Sequence, residues 1–165
     1  MIAPLLQWST APRVLLRLRL CGVAIATVLA SAIAPPALAQ IVPDASLAEA
    51  PSSVVRESDT RTRIEGGLIR ESNLFHSFQD FNIEASDRVY FAPASSIETI
   101  LTRVTGSQPS IILGTLGVRG DANLFFLNPN GIIFGTEAQL DMGGAFLATS
   151  AESVQFGTQG SFSAT

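Results

Sequence analysis

Residues 123–135, Asn-Leu-Phe-Phe-Leu-Asn-Pro-Asn-Gly-Ile-Ile-Phe-Gly, constrain this chain more tightly than any other stretch. Two apolar runs flank four turn formers, a pattern that reads as strand, tight turn, strand. Pro129 presets φ at the second turn position, Asn128 can bond its own backbone in an Asx turn, and Asn130 with Gly131 accepts the remaining turn geometry. A plain turn in a β protein accounts for all four residues, because Asn-Gly between apolar runs is a strong turn signal. Any function attached to this stretch has to be argued from its surroundings.

Those surroundings read as β. Val89 and Phe91 alternate around Tyr90, Ile100, Thr102 and Val104 share one face, and Ile112, Gly114, Leu116 and Val118 follow. Further short runs occupy 145–148 and 153–156, with breaks at Gly106, Pro109, Gly120, Gly135, Gly143-Gly144 and Gly157. Strand and turn alternate without an amphipathic helix of ordinary length between them, so the chain beyond its start is expected to be all-β.

A sandwich would alternate apolar and polar residues, yet 123–127 and 132–134 are apolar on both faces, so something is expected to cover both. A parallel β-helix meets that demand: stacked coil turns bury one side of each strand, and further strands pack over the outer wall. No fixed repeat is visible, so periodicity does not carry the assignment. Gly114, Gly117 and Gly120 have the wrong spacing for a phosphate loop and no helix after them, and are expected to be strand bends or turns.

Phe75, Phe78 and Phe81 stand three apart in the run 73–83. That spacing suits one face of a helical turn or irregular chain wedging rings into a core, with packing the main expectation and an aromatic binding platform the alternative. His76 is the only histidine, so no zinc cluster or Ser-His-Asp relay can be assembled around it. It is expected to be a packed or hydrogen-bonded structural residue.

The chain begins differently. Residues 1–19 carry Arg13, Arg17 and Arg19 without an acid, and residues 20–34 are uncharged. Ala37-Leu38-Ala39 then supplies the small-x-small pattern a signal peptidase reads before Gln40. Those 15 uncharged residues would reach only ~22 Å as a helix against a ~30 Å bilayer core, so a cleaved leader (1–39) is expected rather than a lasting membrane span. The only cysteine, Cys21, lies in that run, with Arg19 nearby where a lipid-attachment motif needs small or apolar residues. All 14 acidic residues lie at or beyond Asp44 and three of the ten arginines lie before it, which leaves a formal charge of −7 after residue 39. With no lysine and scattered arginines, a nucleic-acid partner is not expected. Residues 40–60 read as a partly ordered lead-in segment with one short strand at Ile41-Val42, and 61–165 as the folded domain.

Taken in order, several blocks carry a resemblance. They are Gly66-Gly67, the run 73–82 (Asn-Leu-Phe-His-Ser-Phe-Gln-Asp-Phe-Asn), 97–106 ending in Arg103-Val104-Thr105-Gly106, 112–117, and 122–135 with Asn128-Pro129-Asn130-Gly131-Ile132. Over roughly 64–162 the chain resembles the amino-terminal secretion domain of filamentous-haemagglutinin-like exoproteins, the passengers of two-partner secretion. The resemblance implies a right-handed, single-stranded parallel β-helix with extra capping strands. It implies passage through the Sec machinery, recognition by periplasmic POTRA domains of an outer-membrane β-barrel transporter, and export to the cell surface or medium. Asn128, Pro129, Asn130, Gly131 and Ile132 match the family's secretion motif, while Asn73, Phe75, Phe78 and Phe81 become candidates for partner recognition or packing. A second family motif, Asn-Pro-Asn-Leu, has no copy; residues 91–97 hold a turn in the same general region without the asparagines.

No catalytic, cofactor-binding or metal-binding residue is assigned. A β-helical polysaccharide-degrading enzyme would need grouped carboxylates, and although Asp80, Glu84 and Asp87 are close in sequence, nothing in it places them on one face. A surface-binding adhesin module is the other alternative. Residues 157–165 still read as strand and turn, so the expectation is a passenger truncated at its carboxy-terminal end, or a gene fragment.

Overall fold

The computed structural model describes residues 41–47 and 49–165, and the expected leader lies outside them. β1 (Ile41–Pro43) and β2 (Ser52–Ser58) come first, from the stretch read as a lead-in segment. The chain then coils. The first turn holds β3 (Arg61–Gly66), β4 (Leu68–Arg70) and β5 (Asn73–Phe81), and the second β6 (Arg88–Phe91), β7 (Thr99–Val104) and β8 (Ser110–Ile112). The third holds β9 (Thr115–Val118), β10 (Asn123–Leu127) and β11 (Ile132–Phe134), and the fourth β12 (Gln139–Asp141) and β13 (Phe146–Thr149). A hairpin of β14 (Ser153–Gln155) and β15 (Ser161–Ser163) follows.

Equivalent strands of successive turns pair in parallel, giving three walls: β3-β6-β9-β12, β5-β7-β10-β13 and β8-β11. The β10 and β11 runs flank the Asn128 turn but do not pair with each other; each joins its own wall, so the turn is a corner of a coil. The registers explain why no repeat is visible. Arg61 aligns with Arg88 and Arg88 with Thr115, 27 residues apart, whereas Thr115 aligns with Gln139 after 24 and Leu124 with Phe146 after 22.

Alternation along each strand sends one set of side chains inward. Ile64, Phe91 and Val118 form one inner column, Leu74, Ile100 and Leu124 another. Phe78 and Phe81 are both buried although strand alternation puts residues three apart on opposite faces. A bulge resolves this: Val42 pairs with Asp80 and Pro43 with Phe78, leaving Gln79 unmatched and resetting the inward phase. The three-residue aromatic spacing therefore belongs to a bulged strand, not to a helical turn or irregular chain. Phe81 then meets Phe78 at 5.2 Å, Phe91 at 6.1 Å and Phe126 at 4.9 Å between centroids. Phe75 keeps the outward phase and packs edge-on against Phe162 of the hairpin at 5.1 Å.

Antiparallel strands cover the starting edges of two walls, β2 along β3, and β4 with β1 end to end along β5. Covering an edge removes the unpaired main chain that invites aggregation. The opposite end differs, and it corrects one expectation. Residues 123–127 are covered, but Ile133 and Phe134 are 52% and 39% exposed, because β11 is paired with β8 alone and no strand among the described residues stacks beyond it. Of the three spaced glycines, Gly114 and Gly120 sit at corners, whereas Gly117 lies inside β9. Its reason is space: an edge of the Tyr90 ring and Asp141 O lie 2.5 and 2.6 Å from where a Cβ would stand, and the Tyr90 hydroxyl donates to Asp141 Oδ2 at 2.7 Å.

Candidate functional site

The Asn128–Gly131 corner is clamped from three coil turns. Its own turn closes through the Gly131 N–H donating to Asn128 O at 3.0 Å, and the Asn130 N–H donates to Asn128 Oδ1 at 2.9 Å, the Asx bond the sequence leads one to expect. Gly131 takes φ 108°, a conformation glycine adopts without the clash a Cβ would bring. Asn128 is fully buried, and its Nδ2 donates back to the second turn, to Gln108 O at 3.1 Å and Ser110 Oγ at 3.0 Å. Its main-chain N–H reaches forward to Thr149 O at 3.1 Å. Asn130 is exposed, and its Nδ2 donates to Gly106 O at 2.8 Å, while the Ser110 N–H donates to Gly131 O at 3.0 Å. Both hydrogens of the Asn128 amide are thus spent on stitching the corner, the arrangement a buried carboxamide requires. Ile132 is half-buried against the core.

The second group of candidates is divided between faces. Phe78 and Phe81 fill the coil interior, Phe75 lies on the outer wall under the hairpin, and Asn73 is half-buried at the start of β5, in register with Thr99 and then Asn123. The end of β5 does reach the corner: the Gly106 N–H donates to Gln79 O, and Gly106 O in turn accepts from Asn130.

His76 points inward, fully buried. Its Nδ1 lies 3.0 Å from Ser52 Oγ of β2, its Nε2 has no partner, and the Phe91 ring stands 5.2 Å away. Burial pushes its pKa down to about 4. Among the described residues no group of three or more His, Cys, Asp or Glu side chains is placed to hold a metal ion.

One polar node escaped the sequence reading. Arg103 Nε donates to Ser77 Oγ at 2.9 Å, Nη2 to Ser46 Oγ at 2.8 Å and Nη1 to Ser163 O, with the guanidinium 4.7 Å from the Phe162 centroid. Asp44 joins through Ser77 Oγ at 2.7 Å and Thr105 Oγ1 at 2.6 Å. Burial alone would raise the Asp44 pKa, but bonds from Ser46, Thr105 and Ser77 outweigh it and hold the carboxyl below its ordinary value. Ser46 and Ser163 lie 57 and 60 residues from Arg103, and no local signal connects them.

A coil of four turns with capped starting edges, a hairpin on its outer wall and an Asn-Pro-Asn-Gly corner narrows the families this chain can join. The family model for the TPS secretion domain matches residues 39–165. The chain belongs to the TPS secretion domain family. Among solved structures, the crystal structure of a filamentous haemagglutinin secretion domain matches with a TM-score of 0.58 at 20% identity, over 71% of this chain. At that identity the likeness shows a shared fold. This TPS chain spans 44% of that solved chain. No curated protein matches it. The family is one of secretion domains of filamentous-haemagglutinin-like exoproteins, which are exported to the cell surface or medium, and it is not known as a family of enzymes.

Proposed function

We propose that this chain carries the export signal of a two-partner-secretion exoprotein. In this reading it crosses the inner membrane through the Sec machinery, loses residues 1–39 to signal peptidase, and is bound in the periplasm by POTRA domains of a dedicated outer-membrane β-barrel transporter. The transporter then threads the chain outward. One observation carries the reading: the family match begins at residue 39, where the small-x-small site ends.

Three physical features support it. Residues 40–165 contain no cysteine, so no disulfide can lock a loop that must pass through a pore. The coil suits directional assembly, because its two longer walls grow by stacking one turn on the last from starting edges covered by β2 on one and by β1 and β4 on the other. At ~0.05–0.15 kcal/mol per residue, a domain of this size gains several kcal/mol on folding outside, a bias that opposes return without ATP. Strand addition to the partner is the proposed mode of recognition. In the fold β10 is paired on both sides, so the run 123–127 can offer its main chain only before the coil closes.

Titrating a purified POTRA region with the full chain, held unfolded and then folded, tests this. Saturable binding to the unfolded chain is expected, and no binding to either form contradicts the reading. Amide-to-ester replacement within 123–127 that leaves binding intact would remove strand addition as the mode while keeping the partner.

A further inference from the structure

We propose that Asn130-Gly131 is a spontaneous deamidation site that folding switches off. It is the only Asn-Gly pair in the chain. Glycine after asparagine leaves the main-chain nitrogen unshielded, since no side chain blocks its approach to the carboxamide. The Gly131 nitrogen attacks Asn130 Cγ, and an N–C bond forms as the Cγ–Nδ2 bond breaks. The amide proton leaves with the departing nitrogen as ammonia. Water then opens the cyclic imide at one carbonyl or the other and leaves aspartate or isoaspartate.

The folded corner restrains both reacting groups. The nucleophile's N–H is spent on Asn128 O at 3.0 Å, and the leaving amide is pinned by Nδ2 donating to Gly106 O at 2.8 Å. Asn130 itself is exposed, so water is present and hydrogen bonding, not burial, is what protects it. Unfolding releases nucleophile and leaving group together. The reaction cannot be undone by refolding: the product has a carboxylate facing Gly106 O where a donor stood, and isoaspartate adds a methylene to the main chain inside the hydrogen-bonded corner. The corner therefore marks chains that have stayed unfolded too long. That such a delay occurs during export rests on the function proposed above; the chemistry does not.

The full chain is incubated at mildly basic pH, folded in buffer or unfolded in guanidinium chloride, and peptide mass spectrometry locates the amide-to-acid conversion. Conversion at Asn130 is expected in the unfolded chain and slower by about tenfold or more in the folded one, where it waits on local opening. Gly131→Ala in guanidinium, where folding plays no part, is expected to slow the reaction markedly. Equal rates in the two states overturn the gating, and conversion at Asn73, Asn82, Asn123 or Asn128 in place of Asn130 overturns the site. Failure of POTRA binding leaves these rates untouched, so the two proposals fail separately.

Discussion

The middle and the last turns of the coil use the same inner columns and bury them to opposite extents. Val89 and Leu116 are 2% and 0% exposed, while Leu140, next in that column, is 49% exposed. The third wall ends one turn earlier, with the same result: Ile83 and Ile112 are buried, and Phe134, last in that column, is not. The residue types barely change along a column; what changes is whether a neighbour lies on both sides. Burial in a coil is a property of the stack, so cooperativity should decline from the capped first turns towards the fourth.

The largest test of that contrast is a pair of truncations. Phe81→Ala removes a ring that touches Phe78, Phe91 and Phe126 and is expected to cost ~3–5 kcal/mol in a denaturant melt. Leu140→Ala is expected to cost less than ~1 kcal/mol, and comparable costs would break the comparison.

Acid gives the next effect. His76 is held neutral by burial, with its pKa near 4 against an ordinary 6.5. The unfolded chain binds the proton first, so the contribution is fully present above about pH 6.5 and is lost as pH falls towards 4, by about 3 kcal/mol in all. Asp44, whose pKa is also lowered, adds a loss of the same sign at still lower pH. A stability profile of His76→Phe is expected to lose the upper limb; an unchanged limb would show that another group titrates.

Asn128→Ala strands Gln108 O and Ser110 Oγ and should cost about 1–3 kcal/mol. Asn128→Asp tests the direction of those bonds, since a carboxylate of nearly the same shape cannot donate; stability equal to wild type would contradict the assignment. Asn130→Ala removes an exposed bond to Gly106 O and a longer one to Asn128 Oδ1, and should cost about 1 kcal/mol or less. The smallest effect is kinetic: amide exchange in β12 is expected to outpace that in β9, its buried partner, and equal protection would sink the idea of a graded stack.

Much of this was legible in advance because it is local. The turn at Asn128–Gly131, the β class and the structural role of His76 follow from residue types and short spacings. The bulge at Gln79 was not, because it is defined by pairing with β1, some 40 residues earlier. The exposure of Ile133 was missed for a related reason: two apolar faces imply a cover only if the stack continues over that strand. Variable coil lengths hid the repeat, since register is kept by hydrogen bonding between walls while corners absorb insertions. The Arg103 node, joining residues near both ends of the described chain, has no sequence signature at all.

The proposal that this TPS domain is an export signal read by a specific transporter stands on secretion itself. Co-producing the full chain with a candidate POTRA-bearing barrel, with and without that barrel, and following the chain in the medium tests it most directly. Release that depends on the barrel, and is lost when the POTRA region is deleted, is the predicted result. Equal release with and without the barrel, or retention of the chain in the presence of every POTRA-bearing barrel tried, would contradict it.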